Sequence, residues 1–325
     1  MKYLSILICL YSMCVHASTL HLQNNFAQTS SSNTCGVPCQ KFFINNQEDA
    51  DNFKLEYGQC TAFAGSILID SDKVDNLEGL SNLNSISGDL LITDTVDLTS
   101  LKDLKNLTSI GGSLDLEANQ ALSGLDGLQQ LTDFQSLILV GNNILKDISP
   151  LKVSNVATMG FISNNPLLRN VTSATAALSK DASNLFQVNN SPTLTTIGLL
   201  TSSDGVFNGD MSLDNDDDIK QSDFLSQFKK INGHFGLFDM KNLASLDGFK
   251  SLTDINGRLI IDNLAKLTNL DGLQNINPHF SGQLGIYDNS NLVDCKALCP
   301  LIANKKHIEL TGNNSKCIES LSQCS

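Results

Sequence analysis

The sequence predicts an all-β fold: a right-handed parallel β-helix or solenoid of about eleven rungs, with disulfide-bonded caps at both ends. Three observations predict it. A Gly-x-Φ-x-Φ pattern, Φ being apolar, recurs about every 24 residues for most of the chain. An Asn or Asp follows nearly every copy, and the cysteines beyond the first seventeen residues gather at the two ends.

The pattern is plainest at Gly65–Ile69, Gly88–Ile92, Gly112–Leu116, Gly209–Leu213, Gly233–Leu237, Gly257–Ile261 and Gly282–Ile286. Copies lacking the glycine fill the gaps at Leu137/Leu139, Met159/Phe161, Phe186/Val188 and Ile308/Leu310. A fixed period of this length marks a solenoid. The two Φ residues of a copy point to one face of a strand and the residues between and beside them to the other. Stacked Φ columns then form a parallel sheet, each strand from a different repeat. At about 4.8 Å per rung the rod is on the order of 50 Å long.

The turn column after the strands reads Asp72, Asp94, Asn119, Asn142, Asn164, Asn190, Asn215, Asp239, Asn263, Asn289 and Asn313. These side chains bond their own backbone in turns and tolerate left-handed conformations. Stacked at a corner, they can also form an internal hydrogen-bond ladder. A second apolar cluster follows, as in Leu77/Leu80, Leu101/Leu104, Leu125/Leu128, Leu246/Phe249 and Leu270/Leu273. A third column precedes the next strand at Ile86, Ile110, Ile231, Ile255 and Ile276. Each coil therefore has several inward sides. Open solenoid ends expose core and strand edges and need covering. Residues 35–64 and 289–325 are the expected N-cap and C-cap of a single solenoid spanning 35–325.

The ends also indicate compartment. Residues 1–17 read as a secretory signal: basic Lys2, an apolar stretch from Leu4 to Val15 and a small-residue cleavage site at Ala17. Residues 18–34 are Ser-, Asn- and Gln-rich and read as a flexible leader. No later run approaches a membrane span of about 18 apolar residues, and a soluble, secreted protein is expected. Seven cysteines follow the signal: Cys35, Cys39, Cys60, Cys295, Cys299, Cys317 and Cys324. In an oxidising compartment they read as disulfides. The four C-terminal ones allow three pairings, and the three N-terminal ones leave a thiol over, free or intermolecular. A four-thiolate zinc site at the C-terminal group is the alternative, with spacing unlike the common CxxC knuckles.

The net charge of −13 becomes −14 once Lys2 leaves with the signal. Such acidity argues against nucleic acid and anionic membranes as partners. Sequons at Asn106, Asn170, Asn189 and Asn313 permit glycosylation.

The pattern Leu-x-x-Leu-x-x-Ile-x-Gly-x-Leu-x-Ile, as in Leu80–Ile92, resembles the receptor L-domain repeat, and Cys60–Ile69 looks like that family's N-terminal entry. The resemblance covers roughly residues 35–325 and implies a leucine-rich-repeat-related solenoid that binds an extracellular ligand through a sheet face. Known receptor modules have about half as many rungs, and no membrane span or kinase follows here. Receptor signalling is therefore not implied. Plain leucine-rich repeats are the nearest competitor through Leu114–Asn119, but the glycine two residues before the first Φ favours the L-domain reading.

Catalytic motifs are missing: there is no HExxH, GxSxG, P-loop or GxGxxG. No cofactor is implied. His21, His234, His279 and His307 are scattered. The densest acidic group, Asp214, Asp216, Asp217 and Asp218, with Asp204, Asp210 and Asp223 around it, is a weak calcium candidate in a turn that solvation alone explains. The outward strand positions remain. Ile138, Val140 and Ile162, with Leu68 and Leu91, make one apolar group, and Phe238, Ile260 and Tyr287 make another, near His234 and Arg258. Exposed apolar groups on a sheet mark interaction surfaces. The expected function is non-enzymatic recognition of an extracellular protein or glycan. The alternatives are a structural cell-surface or cell-wall component and a β-helix enzyme acting on polysaccharide.

Overall fold

The computed structural model describes residues 33–152, 155–172, 185–198, 204–220 and 222–324. The signal and most of the leader, with His21, lie outside the described residues. Strand β1 (Thr34–Ile44) is followed by helix α1 (Gln47–Tyr57) and by β2 (Ala62–Asp70). Then come β3 (Ser85–Ile86), β4 (Leu90–Thr93), β5 (Ser109–Ile110), β6 (Ser113–Glu117), β7 (Asp133–Val140), β8 (Asn155–Ser163) and β9 (Leu185–Asn189). The C-terminal half holds β10 (Val206–Phe207), β11 (Asp210–Asp214), β12 (Lys230–Ile231), β13 (His234–Phe238), β14 (Asp254–Ile255), β15 (Arg258–Asp262), β16 (Gln283–Tyr287) and β17 (Ile308–Thr311). Helix α2 (Ser315–Leu321) closes the described chain.

Among the described residues, fourteen strands form one large parallel sheet, and β10, β12 and β14 form a second small one. The fold is mostly β with few helices. The long strands pair in succession, β2 to β4, β6, β7, β8, β9, β11, β13, β15, β16 and β17, every pairing parallel. Register keeps like with like: Ile67 opposes Leu90, which opposes Leu114, which opposes Leu137. The inward positions of these strands, the second leucine cluster and the isoleucine column are buried together in one continuous core. Phenylalanines thicken it in two places, Phe42, Phe53 and Phe63 beside α1, and Phe207, Phe228, Phe235 and Phe249 farther on.

The repeated glycine has a steric cause. A Cβ on Gly233 would lie 2.0 Å from the carbonyl oxygen of Gly209, and one on Gly257 would lie 1.9 Å from that of Gly233. Each glycine is pressed on the glycine of the preceding rung, closer than any side chain allows. That close approach lets the rung turn into its strand directly over its neighbour.

Two expectations about columns need correction. The Asn/Asp turn column is really two adjacent columns. One leaves the strand with positive φ: Asp94, Asn164, Asn190, Asn215, Asp239, Asn263 and Asp288, all between 51° and 56°. The next residue points inward, and there Asn119, Asn142, Asn165 and Asn289 are fully buried. Their amides build the ladder. Asn142 Nδ2 donates to Leu116 O at 2.9 Å and its Oδ1 accepts from the Asn119 backbone N–H at 3.1 Å. Asn165 repeats this one rung on, to Leu139 O at 2.8 Å and from Asn142 N at 3.0 Å. Expected together, Asn142 and Asn164 therefore do different work.

The second correction is register in β8. This strand carries an extra residue opposite β7, between the Phe134–Val156 and Ser136–Met159 pairs. Gly160 and Ile162, not Met159 and Phe161, therefore continue the Leu137 and Leu139 columns. Ile162 faces the core at 0% exposure and is no ligand-face residue.

Disulfides join Cys35 to Cys60, Cys295 to Cys317 and Cys299 to Cys324. Cys39 is disulfide-bonded as well, to a cysteine outside the described residues, so it is the odd one among Cys35, Cys39 and Cys60. The sulfurs of the C-terminal group are consumed in these bonds, which removes the zinc alternative.

Asp216 occupies a ladder position where other rungs have Asn. It is fully buried, and its Oδ1 accepts from Ser191 N at 3.0 Å. Its Oδ2 stands where the amide would donate to the preceding strand, and it has no partner. Burial, partly countered by the Ser191 bond, pushes its pKa up from 3.8 to about 8. Folding thus favours the protonated acid. The resulting stability is fully present below about pH 4, declines as pH rises and is lost above about pH 8. Asp216→Asn should restore the amide donor and make the decline shallower, stabilising the fold by about 1–3 kcal/mol at pH 9 and little at pH 4. Urea melts at several pH values test this.

Candidate functional site

The outward face of the large sheet is built from three columns per strand. The leading column of the C-terminal half runs Asp210, His234, Arg258 and Gln283. The middle column runs Ser212, Gly236, Ile260, Gly285 and Glu309, and the trailing column Asp214, Phe238, Asp262, Tyr287 and Thr311. Because strands alternate, each of these side chains stands opposite the buried Φ residues.

The two glycines of the middle column are filled from beside. A Cβ on Gly236 would lie 2.2 Å from Phe238 Cε2, and one on Gly285 2.5 Å from Tyr287 Cε2. Both rings thus lean back along their own strands over bare backbone, two residues from their origin. This is how an aromatic covers a strand glycine that would otherwise weaken the sheet. Ile260 lies half-buried between the two glycines. A depression of about 180 Å³ lies alongside, lined by Leu185, Gln187, Ser212, His234, Phe238 and Ile260.

Polar groups surround the rings. His234 is exposed, with Nδ1 2.8 Å from Asp210 Oδ1. The Tyr287 hydroxyl donates to Glu309 Oε2 and receives Arg258 Nη2 at 3.5 Å. Arg258 Nε is buried without a partner. Burial, then the bond to Glu309, pushes the Tyr287 hydroxyl pKa up. Asp262 is likewise raised, by burial and then by Asp288, Asp239 and Asp214, which line the same edge of the sheet.

The predicted residues therefore divide. His234, Phe238, Arg258, Ile260 and Tyr287 are brought together on one outward patch. Ile138 and Val140 lie half-buried on the same face in the N-terminal half. Ile162 is in the core, and the outward position next to Ile138 belongs to Phe161. Counting back from the ladder finds this, since Leu116, Leu139 and Ile162 each lie three residues before their buried Asn. Glu309 and Asp115, also on this face, carry no periodic signal and were missed.

The acidic turn does not converge. Among the described residues no group of three or more His, Cys, Asp or Glu is arranged to hold a metal. Asp216 points inward, Asp217 Oδ2 pairs with Lys241 Nζ at 3.1 Å, and Asp218 faces Lys220 at 3.7 Å. Burial, then Asp239, raises the pKa of Asp214. Of the sequons, Asn106 is exposed, though its Nδ2 donates to Ser81 O at 2.8 Å. Asn170 and Asn189 are half-buried. Asn313 belongs to the ladder, its Nδ2 donating to Ile286 O at 2.6 Å, so a glycan there would break an internal bond.

Among the described residues, a stacked parallel sheet with a disulfide at each end and an uncovered outward face defines a repeat protein that presents a surface. Residues 59–179 match the model of the Receptor L domain family, and the resemblance to that family is shown over this stretch. The family is one of extracellular, ligand-binding, non-enzymatic domains. No curated protein matches the chain. Among the described residues no helix is long and apolar enough to cross a membrane.

Since Asp214, Asp216, Asp217 and Asp218 point apart, calcium should not stabilise the fold. Thermal melts in millimolar calcium and in excess chelator should coincide; a rise in Tm with calcium would restore the metal reading.

Proposed function

We propose that the chain is a secreted, non-enzymatic recognition protein that binds an extracellular protein or glycan on the outward sheet face of its C-terminal half. The observation that carries this reading is the pair of rings, Phe238 over Gly236 and Tyr287 over Gly285, with Ile260 between them and Arg258 beside them. The rings stand two rungs apart, about 10 Å by strand spacing. Aromatic groups fixed in this way lose little side-chain entropy when a partner covers them, and aromatic and Arg residues are the commonest anchors of interfaces. The acidic edge formed by Asp214, Asp239, Asp262 and Asp288 supplies a polar rim.

The scaffold we infer is a right-handed solenoid of about eleven rungs, closed by the segments 35–64 and 289–325 and released from a signal at 1–17. The disulfides are in keeping with an oxidising, extracellular setting.

The test is a glycan array and a secretome capture with the chain from residue 18 onward, repeated with Phe238→Ala and Tyr287→Ala. Loss of either ring should weaken capture by about ten- to a hundredfold, since an anchor contributes about 1.4–3 kcal/mol. Stability should fall much less, because neither ring is in the core. Undiminished capture by both variants would remove the face from the proposal. Retention of the chain in an insoluble matrix, without saturable binding, would favour a structural role instead.

A further inference from the structure

The middle outward column of the N-terminal half runs Phe43, Leu68, Leu91, Asp115, Ile138 and Phe161, each in register with the next. Phe43 is 54% exposed, and Leu68, Leu91, Ile138 and Phe161 are half-buried. The column is thus an apolar ridge facing outward, interrupted once. The interruption is a carboxylate only 6% exposed. Asp115 Oδ1 is buried with no hydrogen-bond partner. None of the ion pairs among the described residues includes Asp115, Glu117 or Asp89.

A buried, unpaired acid is destabilising, and nothing in this fold requires an acid at this position. Every other outward position of the ridge is apolar, and a leucine there would complete it. We propose that Asp115 and its apolar flanks form a seat for an alkylammonium group, the chemistry of a lysine side chain on a protein partner. The alkyl stem lies along Leu91 and Ile138, whose half-buried side chains part to admit it, and the ammonium pairs with the Asp115 carboxylate.

Chemistry selects this occupant over others. A purely apolar ligand would bury the acid more deeply and leave it unpaired. An anion would meet Asp115, Glu117 and Asp89 together. A bare metal ion needs several converging ligands, and among the described residues no such group forms. Burial, then the charges of Glu117 and Asp89, pushes the Asp115 pKa up to about 8. The free seat is therefore protonated at neutral pH, and an arriving ammonium releases that proton to solvent. From the β4 side Asp89 faces the group, on its own strand Glu117 does, and β7 offers only Ser136, Ile138 and Val140. The seat is distinct from the Phe238 and Tyr287 patch, so either can fail without the other.

The test uses the full chain with labelled Ile and Leu methyl groups, titrated with hexylammonium and, as controls, hexanol and hexanoate. Hexylammonium should shift the Leu91 and Ile138 methyl signals saturably by tens of millimolar, and Asp115→Asn should weaken this at least about tenfold. Hexanol and hexanoate should not reproduce it. Equal shifts with hexanol, unchanged binding by the variant, or no saturation would overturn the proposal. If the variant does not fold, calorimetry on the unaltered chain in two buffers of different ionisation enthalpy decides. Affinity should rise about tenfold per pH unit below about pH 8, with close to one proton released. Binding without pH dependence or proton release would overturn it.

Discussion

No coil of this protein can satisfy its own backbone. Each strand's N–H and C=O groups find their partners on the coils before and after, at the parallel spacing of about 4.8 Å. The rest of the structure follows from holding that stack in register. Large residues fill the inward columns because several sides of each coil face the same core. The entry glycine is bare because two consecutive rungs meet there backbone to backbone. The buried asparagines satisfy the amides and carbonyls left where the chain turns away from the strand. A buried polar group of this kind is stabilising only when fully paired, and the repeat supplies the pairing.

The stack was legible in the sequence because each of its demands recurs. Outside β8, the glycine, the two Φ residues, the leucine pair and the isoleucine lie where their periodicity places them. What misled is chemical degeneracy. Asparagine is favoured at strand exit because it accepts positive φ, and one residue later because its amide bridges rungs. Two columns with different duties thus carry one letter. The slip at β8 has a related cause: an inserted residue breaks the count between glycine-like positions but not the count back from the ladder. The candidate sites were less legible. Phe238 and Tyr287 read as outward aromatics, but their folding over Gly236 and Gly285 depends on side-chain direction, which no spacing encodes. In the sequence Asp115 is one polar residue between two leucines, and only the register against Leu91 and Ile138 shows what surrounds it.

The acidic character of the chain is also unevenly used. Many carboxylates lie exposed, where water solvates their charge. Two do not. Asp115 and Asp216 are both nearly lost to solvent, and burial holds both above the usual carboxylate range. Their settings differ: Asp216 replaces an amide inside a ladder, whereas Asp115 lies just beneath an outward surface. A buried acid in a scaffold position lowers stability as pH rises, and one at a surface is available to a partner of opposite charge.

The disulfides have a mechanical consequence. Their separations of 25, 22 and 25 residues each close about one turn of the chain. Tension on a solenoid ordinarily peels it coil by coil from whichever terminus is pulled. Here a pull at the C-terminal end is carried through Cys324 to Cys299 and through Cys317 to Cys295 before the last turn can open. The load passes instead to the rungs before Cys295. The last turn at this end is thereby protected against unzipping.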